Sequence, residues 1–151
     1  MEPRIIPDDE ALSRMQEAFS EGKPFALAVT GTSMSPVLRN RRDVVFLVSP
    51  QMRPPQKYDI LLFRRQDALI LHRIIAVKKD GSFTVNGDAQ TWCEHVRPEQ
   101  ILAVAEALLR KGRRISCGNA GYRFLCSLWC KTRRFRPFLH RIRLFFRPTK
   151  A

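Results

Sequence analysis

The sequence has no acidic side chain after Glu106, although the chain continues to residue 151. Residues 110–151 carry 13 lysines and arginines, whereas residues 1–109 carry 14 basic and 14 acidic side chains. The formal net charge of +13 therefore belongs wholly to the C-terminal quarter. A segment with this composition is expected to seek phosphate groups, whether of lipid or of nucleic acid.

Long apolar runs are also missing. No stretch approaches the roughly 18 consecutive apolar residues that a membrane-spanning helix needs. The first ten residues, MEPRIIPDDE, lack the basic start and apolar core of a secretory signal. We therefore expect a cytoplasmic protein that is peripheral wherever it meets a membrane. The hydrophobic fraction of 44% excludes a disordered chain, and the length allows one domain with a real core.

Cysteine is scarce, and its spacing argues against a metal site. The four cysteines are Cys93, Cys117, Cys126 and Cys130. In a cytosolic chain they are expected to be free thiols. Even with His140 added, their spacing matches no compact zinc knuckle. We expect neither a metal nor a cofactor.

The body of the chain is predicted to be mainly β, after one helix. Residues 8–21 predict a helix that Asp8 or Asp9 caps, that Gly22 ends, and whose apolar face docks on the body. The predicted strands cover residues 25–30, 43–48, 60–65, 68–77 and 83–87. Residues 99–111 suit a helix by their alanines and leucines, or a strand at 101–109. The connections RRQDA and KKDGS predict tight hairpins.

The stretch TGTSMSP, residues 30–36, raises the question of whether Ser33 is a nucleophile or a turn residue. A serine attacks only when a base takes its proton. His72 lies between Ile70 and Ile74 on one face of a predicted strand. Burial there keeps the ring neutral, as a general base must be. The alternatives are a structural hydroxyl at residue 33 and a core histidine at residue 72.

A carboxylate usually orients such a histidine. Asp88, in VNGDAQ, follows the strand that pairs with the histidine strand, so the hairpin returns it toward His72. The sequence thus predicts a catalytic triad of Ser33, His72 and Asp88. The alternative for Asp88 is a turn residue after glycine.

Three stretches carry a resemblance to a known family. GTSMSPVLRNRRDVV, YDILLFRRQDALILHRIIAV and VNGDAQ resemble, in this order, the three blocks of the signal peptidase and LexA-like serine peptidases. In that superfamily the first block carries the nucleophilic serine before a methionine, the second the base, and the third a Gly-Asp pair. His72 stands at the base position, so the resemblance is closest to the histidine-type signal peptidases. It covers residues 25–105.

The resemblance implies a signal peptidase/LexA-like β fold with a cleft for an extended polypeptide substrate. It implies a serine endopeptidase that cleaves a leader or signal segment. The residues implied to bind substrate or to form the oxyanion hole are Gly31, Thr32, Met34 and Pro36. Gly31 stands where the lysine-type enzymes carry a hydroxyl group. The main-chain N–H of Ser33, helped by Thr32, is therefore expected to bind the oxyanion.

Two other functions stay open. One is a LexA-like autoproteolytic regulator, although the segment before Ser33 has no small-residue cleavage pair and no room for a DNA-binding domain. The other is a catalytically inactive relative that binds peptides. The expected organisation is an N-terminal docking helix (residues 1–22), a peptidase domain (23–112) and a basic amphipathic tail (113–151).

The tail interleaves aromatic residues with arginines over residues 121–147. Two apolar stripes, separated by a kink at Pro137, predict two basic amphipathic helices. Their members are Phe124, Leu125, Leu128 and Trp129, then Phe138, Leu139, Ile142, Phe145 and Phe146. The predicted partner is an anionic membrane surface, since binding phosphate alone needs no bulky apolar side chains in register. Nucleic acid is disfavoured, and packing of the tail on the body is the other alternative.

Overall fold

The structure, a computed structural model, describes residues 8–138. Its helices and strands are, in order, α1 (Asp8–Ser20), β1 (Phe25–Ala28), β2 (Val44–Val48), β3 (Ile60–Arg65), β4 (Ala68–Val77), β5 (Phe83–Asn86), β6 (Glu94–Val96), β7 (Ile101–Arg110), β8 (Arg113–Ser116) and α2 (Ala120–Lys131). Short 3-10 turns cover Pro98–Gln100 and Thr132–Phe135. The strands form one antiparallel sheet. The prediction of a mainly β fold is confirmed.

Strand β7 lies between β2 and β3 in the sheet, whose order is β1-β2-β7-β3-β4-β5-β6. Val104 pairs with Val48 on one edge of β7 and with Leu61 on the other. Strand β8 pairs with the far end of β7. Of residues 99–111, for which the sequence allows a helix or a strand at 101–109, residues 101–110 form a strand that is paired on both edges. Pairing and burial decide the structure here, over the helical propensity of alanine and leucine.

Each face of the sheet supports a core. The larger cluster packs under α1 and the segment after β1, and it includes Met15, Val29, Met34, Leu38, Val45, Leu47, Ile60, Leu62, Ala103, Ala105 and Leu108. The smaller cluster lies on the opposite face, as alternation along β3 requires, and consists of Leu61, Phe63, Ile74, Phe83, Val85, Val96 and Val104. Helix α1 buries Ala11 and Met15, and Met15 packs in the larger cluster with Leu12 and Phe19 beside it.

The sheet and its packing continue past residue 113, where the basic tail was predicted to begin. Residues 113–116 form β8, and Asn119 caps α2 by accepting a hydrogen bond from the N–H of Tyr122. Cys126, on the inner side of α2, is buried. Most of the second predicted amphipathic helix (Leu139, Ile142, Phe145 and Phe146) lies outside the described residues. Within residues 8–138, no helix has the length and apolar character to cross a membrane.

Candidate active site

Ser33 lies in the connection between β1 and β2, in a turn fixed by buried neighbours. The side chain of Met34 points into the larger core, and its carbonyl accepts a hydrogen bond from the N–H of Leu38 at 2.9 Å. Gly31 has a φ of +76°, a conformation that glycine adopts without strain. A side chain bearing a hydroxyl would be strained at this position. Gly31 therefore shapes the turn that presents Ser33.

A cavity of about 570 Å³ opens beside this turn. It is lined by Asp8 and Ala11 of α1, residues 26–34, Leu62, Arg65, residues 69–72, Ala89 and Gln90. Strands β1 and β4 both border it although β2, β7 and β3 separate them in the sheet, so the sheet is strongly curved. Of the residues predicted for the site, Gly31, Thr32, Ser33, Met34 and His72 line this cavity.

Pro36 does not line this cavity. It borders a different one, beside α2. Met34 buries its side chain in the core, so its place at the cavity wall is structural. A role for Pro36 in binding substrate stays a prediction, since Pro36 has no place in the lining of this cavity.

The ring of His72 is almost completely buried, at 2% exposure. It packs edge-on against Phe63 and Trp92, with centroid distances of 5.9 and 6.1 Å. Burial lowers the pKa of His72, the nearby carboxylate of Glu94 opposes that shift, and the guanidinium of Arg65 adds to it. The ring is therefore neutral at neutral pH, the protonation state that a general base requires.

The carboxylate nearest the ring of His72 belongs to Glu94, the first residue of β6. Its Oε1 lies 3.2 Å from Nδ1 of His72 and 2.8 Å from Nη1 of Arg65. Among the described residues, Nδ1 and Oε1 have no aligned hydrogen-bond partner. The predicted strands ended before β6, so the sequence reasoning missed Glu94. The strand register places Glu94 near His72: Glu94 pairs with Val85, and Val85 pairs with Ile74, two residues after His72.

Asp88 does not orient His72, contrary to the predicted triad. Its carboxylate accepts hydrogen bonds from Nε and Nη2 of Arg73, at 2.9 and 2.8 Å. Alternation along β4 puts Arg73 on the face opposite His72. Arg73 pairs with Asn86 across the strands, and Asp88 follows two residues later, on the same face as Arg73. The geometry of the sheet thus directs Asp88 to the arginine.

The Gly-Asp pair instead fixes the serine turn. The N–H of Ala89 donates a hydrogen bond to the carbonyl of Ser33 at 2.8 Å. A Cβ on Gly87 would lie 2.8 Å from the same carbonyl oxygen, so only glycine allows this approach. Asp88 anchors the loop to Arg73 while Ala89 holds Ser33. The loop of residues 87–90 is therefore a support for the nucleophile candidate.

Ser33 and His72 border one cavity, but they are not joined in this state. Within residues 8–138, no hydrogen bond links the Ser33 hydroxyl to His72. In the same range, no cluster of three His, Cys, Asp or Glu side chains is placed to hold a metal ion.

Comparisons with protein-family models, with curated proteins and with solved structures found no match for this chain.

Proposed function

We propose that this protein is a serine endopeptidase with a signal peptidase/LexA-like β fold that cleaves a leader or signal segment from a polypeptide. The observation that carries the proposal is the shared cavity: Ser33 and a buried, neutral His72 border the same 570 Å³ space. Three separate sequence blocks that resemble the histidine-type signal peptidases contribute to that cavity and to its support. If Ser33 and His72 had only structural roles, there would be no reason for both to border the same cavity.

The reaction follows from the two side chains. Ser33 Oγ attacks the peptide carbonyl carbon while a ring nitrogen of His72 takes the hydroxyl proton. The tetrahedral intermediate collapses, the C–N bond breaks, and His72 returns the proton to the leaving amine. Water then hydrolyses the ester on Ser33 by the same proton transfers. The hydrogen bond between the two residues forms when substrate closes the site, as is common for catalytic pairs that are apart in the free enzyme.

The expected oxyanion donor is the main-chain N–H of Ser33. Among residues 8–138 this group has no hydrogen-bond acceptor. Thr32 lines the cavity next to it and offers a hydroxyl. Gly31 contributes the turn rather than a donor side chain, since its positive φ favours glycine. The site thus relies on the main chain for a function that a side chain serves in the lysine-type enzymes.

Strand β1 supplies the surface for an extended substrate. Among the described strands it pairs only with β2, so its other edge can hydrogen-bond an added strand. Residues 26–28 of β1 and Val29 just after it line the cavity, and so do Leu62, Leu69 and Leu71. A peptide along β1 would carry its scissile carbonyl toward Ser33 and one apolar side chain against these leucines.

The test compares wild-type protein with Ser33→Ala and His72→Ala in two assays. The first is labelling by a fluorophosphonate probe, and the second is cleavage of a pool of leader peptides that end in Ala-x-Ala. We expect cleavage to fall by about a thousandfold or more in both variants. Matched controls are Ser35→Ala in the same turn and His95→Ala on the exposed part of β6. Cleavage that survives in both site variants would exclude this mechanism.

A peptide-binding protein without catalysis is the second candidate. It is favoured by one observation: the ring of His72 is almost wholly buried and makes no hydrogen bond to Ser33 in the described residues. Fluorescence anisotropy with a labelled leader peptide separates the two functions. If the protein is a peptidase, the wild type cleaves the labelled peptide and Ser33→Ala binds it without cleavage. If it is a binding protein, both the wild type and Ser33→Ala bind the peptide and leave it intact.

A further inference from the structure

Helix α2 is apolar on two opposite faces, and only one of them meets the body. Tyr122, Cys126 and Cys130 follow each other at intervals of four residues and form the inner face, on which Cys126 is buried. Phe124 and Leu128 lie two residues to either side of Cys126, about 160° away from it around the helix. Their side chains are 64% and 43% exposed. The outer face of α2 thus presents large apolar side chains to solvent.

Further exposed apolar side chains follow this outer face along the chain. Eight large hydrophobic side chains are exposed in residues 8–138, and five of them fall between residues 124 and 138. They are Phe124, Leu125, Leu128, Phe135 and Phe138. Single exposed apolar side chains need no explanation, but a concentration of five within fifteen residues indicates an interaction site. We call these five residues, three on α2 and two just after it, the apolar surface of α2.

The surroundings of the apolar surface are cationic. Lys131 and Arg134 are exposed among its members, and neither forms an ion pair within the described residues. Arg123, by contrast, is engaged with Asp59 at 2.9 Å and holds the helix to the body. No acidic residue occurs in the sequence after Glu106. The surface therefore combines exposed aromatic rings with positive charges that have no local counter-charge.

A second cavity, of about 690 Å³, adjoins this surface. Leu125, Leu128 and Trp129 form its helix side, and Leu108 and Ile115 form its sheet side. Among residues 8–138, the ionisable side chains in its lining besides Tyr122 and Cys126 are Arg73 and Arg110, and no carboxylate of that range borders it. Arg73 is neutralised by Asp88, so Arg110 is the cation that this largely apolar groove offers to an acyl chain with an anionic headgroup.

We propose that the apolar surface of α2 docks on an anionic lipid bilayer, with the helix lying in the plane of the interface. Phe124, Leu128 and Phe135 enter the boundary between headgroups and acyl chains. Lys131 and Arg134 meet lipid phosphates. Bulky aromatic and leucine side chains favour lipid over nucleic acid, since phosphate contacts need only the cations. The proposal stands apart from the peptidase function, because it rests on another part of the molecule.

Vesicle co-sedimentation of the full chain tests the proposal. The vesicles contain phosphatidylcholine alone, or phosphatidylcholine with about one third phosphatidylglycerol. We expect at least about tenfold stronger binding to the anionic vesicles, because several cations each add to the attraction. Phe124→Ser combined with Leu128→Ser should reduce that binding about tenfold or more, since two apolar side chains no longer leave water.

Two further variants complete the design. Lys131→Gln combined with Arg134→Gln should weaken binding to anionic vesicles about fivefold for each charge removed. Met52→Ser combined with Val77→Thr is the matched control, since both residues are exposed apolar side chains far from α2 in sequence, and it should bind as wild type. All substituted side chains are exposed, and circular dichroism verifies that the variants fold.

Three outcomes would overturn the proposal. The first is that wild type does not bind anionic vesicles, or that Phe124→Ser/Leu128→Ser binds them equally well. The second is self-association without lipid that this variant abolishes, which would make the surface a contact between two copies. The third is binding to duplex or single-stranded nucleic acid that the charge variant abolishes while vesicle binding is absent. None of these assays uses peptidase activity, so they leave the proposed function untouched.

Discussion

The guanidinium of Arg73 and the carboxylate of Asp88 form a buried, two-pronged ion pair, with N···O distances of 2.9 and 2.8 Å. The pair joins β4 to the loop of residues 87–90, which in turn holds Ser33 through Ala89. Nη1 of Arg73 also lies 3.2 Å from the sulfur of Cys126 on α2. One arginine thus connects the sheet, the support of the serine turn and the C-terminal helix.

We expect Asp88→Asn to lower the free energy of unfolding by about 3–5 kcal/mol, because it leaves the buried charge of Arg73 without a partner. Urea denaturation followed by circular dichroism measures the change. Glu10→Gln is the control: it breaks the exposed pair with Arg14 and should cost less than about 1 kcal/mol. An equal effect of the two substitutions would show that the buried pair is not needed for stability.

Gly87→Ala should impair the site through a steric effect on the serine turn. The added Cβ would lie 2.8 Å from the carbonyl oxygen of Ser33, and main-chain atoms there have little room to move. We expect a stability loss of about 1–3 kcal/mol and a larger proportional loss of peptidase activity. Gly118→Ala is the matched control, since its nearest neighbour would be 3.7 Å away. Wild-type behaviour of Gly87→Ala would mean that the loop and the turn do not act together.

The titration of His72 should reveal the balance of charges around it. Burial and Arg65 lower its pKa, and Glu94 opposes them. Arg65→Gln should therefore raise the pKa of His72, and Glu94→Gln should lower it further. NMR titration of the imidazole Cε1–H signal, assigned with His72→Gln, measures both changes. If both substitutions shift the pKa of His72 in the same direction, Arg65 and Glu94 do not have these opposing effects.

The same pKa sets the acid limit of peptidase activity. A general base works only when it is neutral, so kcat/KM rises as the pH passes upward through the pKa of His72. Because that pKa lies below the usual 6.5, activity should persist at a lower pH than an exposed histidine would allow. In Arg65→Gln the acid limb of the pH–rate profile should move to higher pH, in step with the NMR titration. If the pH of the acid limb does not change in Arg65→Gln, a residue other than His72 is the general base.

Thiol labelling should distinguish the four cysteines of the folded protein. Cys93 is exposed, whereas burial raises the pKa of Cys117 and of Cys130 to about 11. A disulfide reagent at pH 8 should therefore modify one thiol per chain rapidly, since it reacts with thiolates. Cys93→Ser should abolish this fast phase, and urea should expose all four thiols. Rapid labelling of a second thiol in the folded chain would mean that α2 does not stay packed on the sheet.

The parts of the fold that the sequence predicts best are those with strong local signals. Strands β3 and β4 match their predicted ranges, 60–65 and 68–77, because apolar runs flank a two-residue turn. Strands β6 and β8 were not predicted. They have three and four residues, and their sequences, EHV and RRIS, carry little apolar periodicity. Such strands form because a neighbouring strand offers an open edge, which local sequence does not reveal.

The errors at the candidate site have the same origin. The sequence predicted residues that border a common cavity, Ser33 and His72, because each block carries its own motif. Which carboxylate lies near His72 depends instead on strand register. Because β6 is not predicted from the sequence, the sequence does not place Glu94 near His72. Asp88 is predicted to lie beside His72, but it lies on the opposite face of β4, next to Arg73. The catalytic roles themselves stay predictions until the variants of Ser33 and His72 are measured.

The position of β7 between β2 and β3 has a consequence for how the chain is made. Strands β2 and β3 follow each other in sequence but never pair, since β7 lies between them. A nascent chain that has reached residue 97 can form the β1–β2 hairpin and the β3–β6 meander, but only as two separate pieces. The two halves join when residues 101–110 leave the ribosome, and Ser33 and His72 belong to different halves. The cavity is therefore assembled late in synthesis, so a nascent chain gains its candidate active site only after nearly the whole body has emerged.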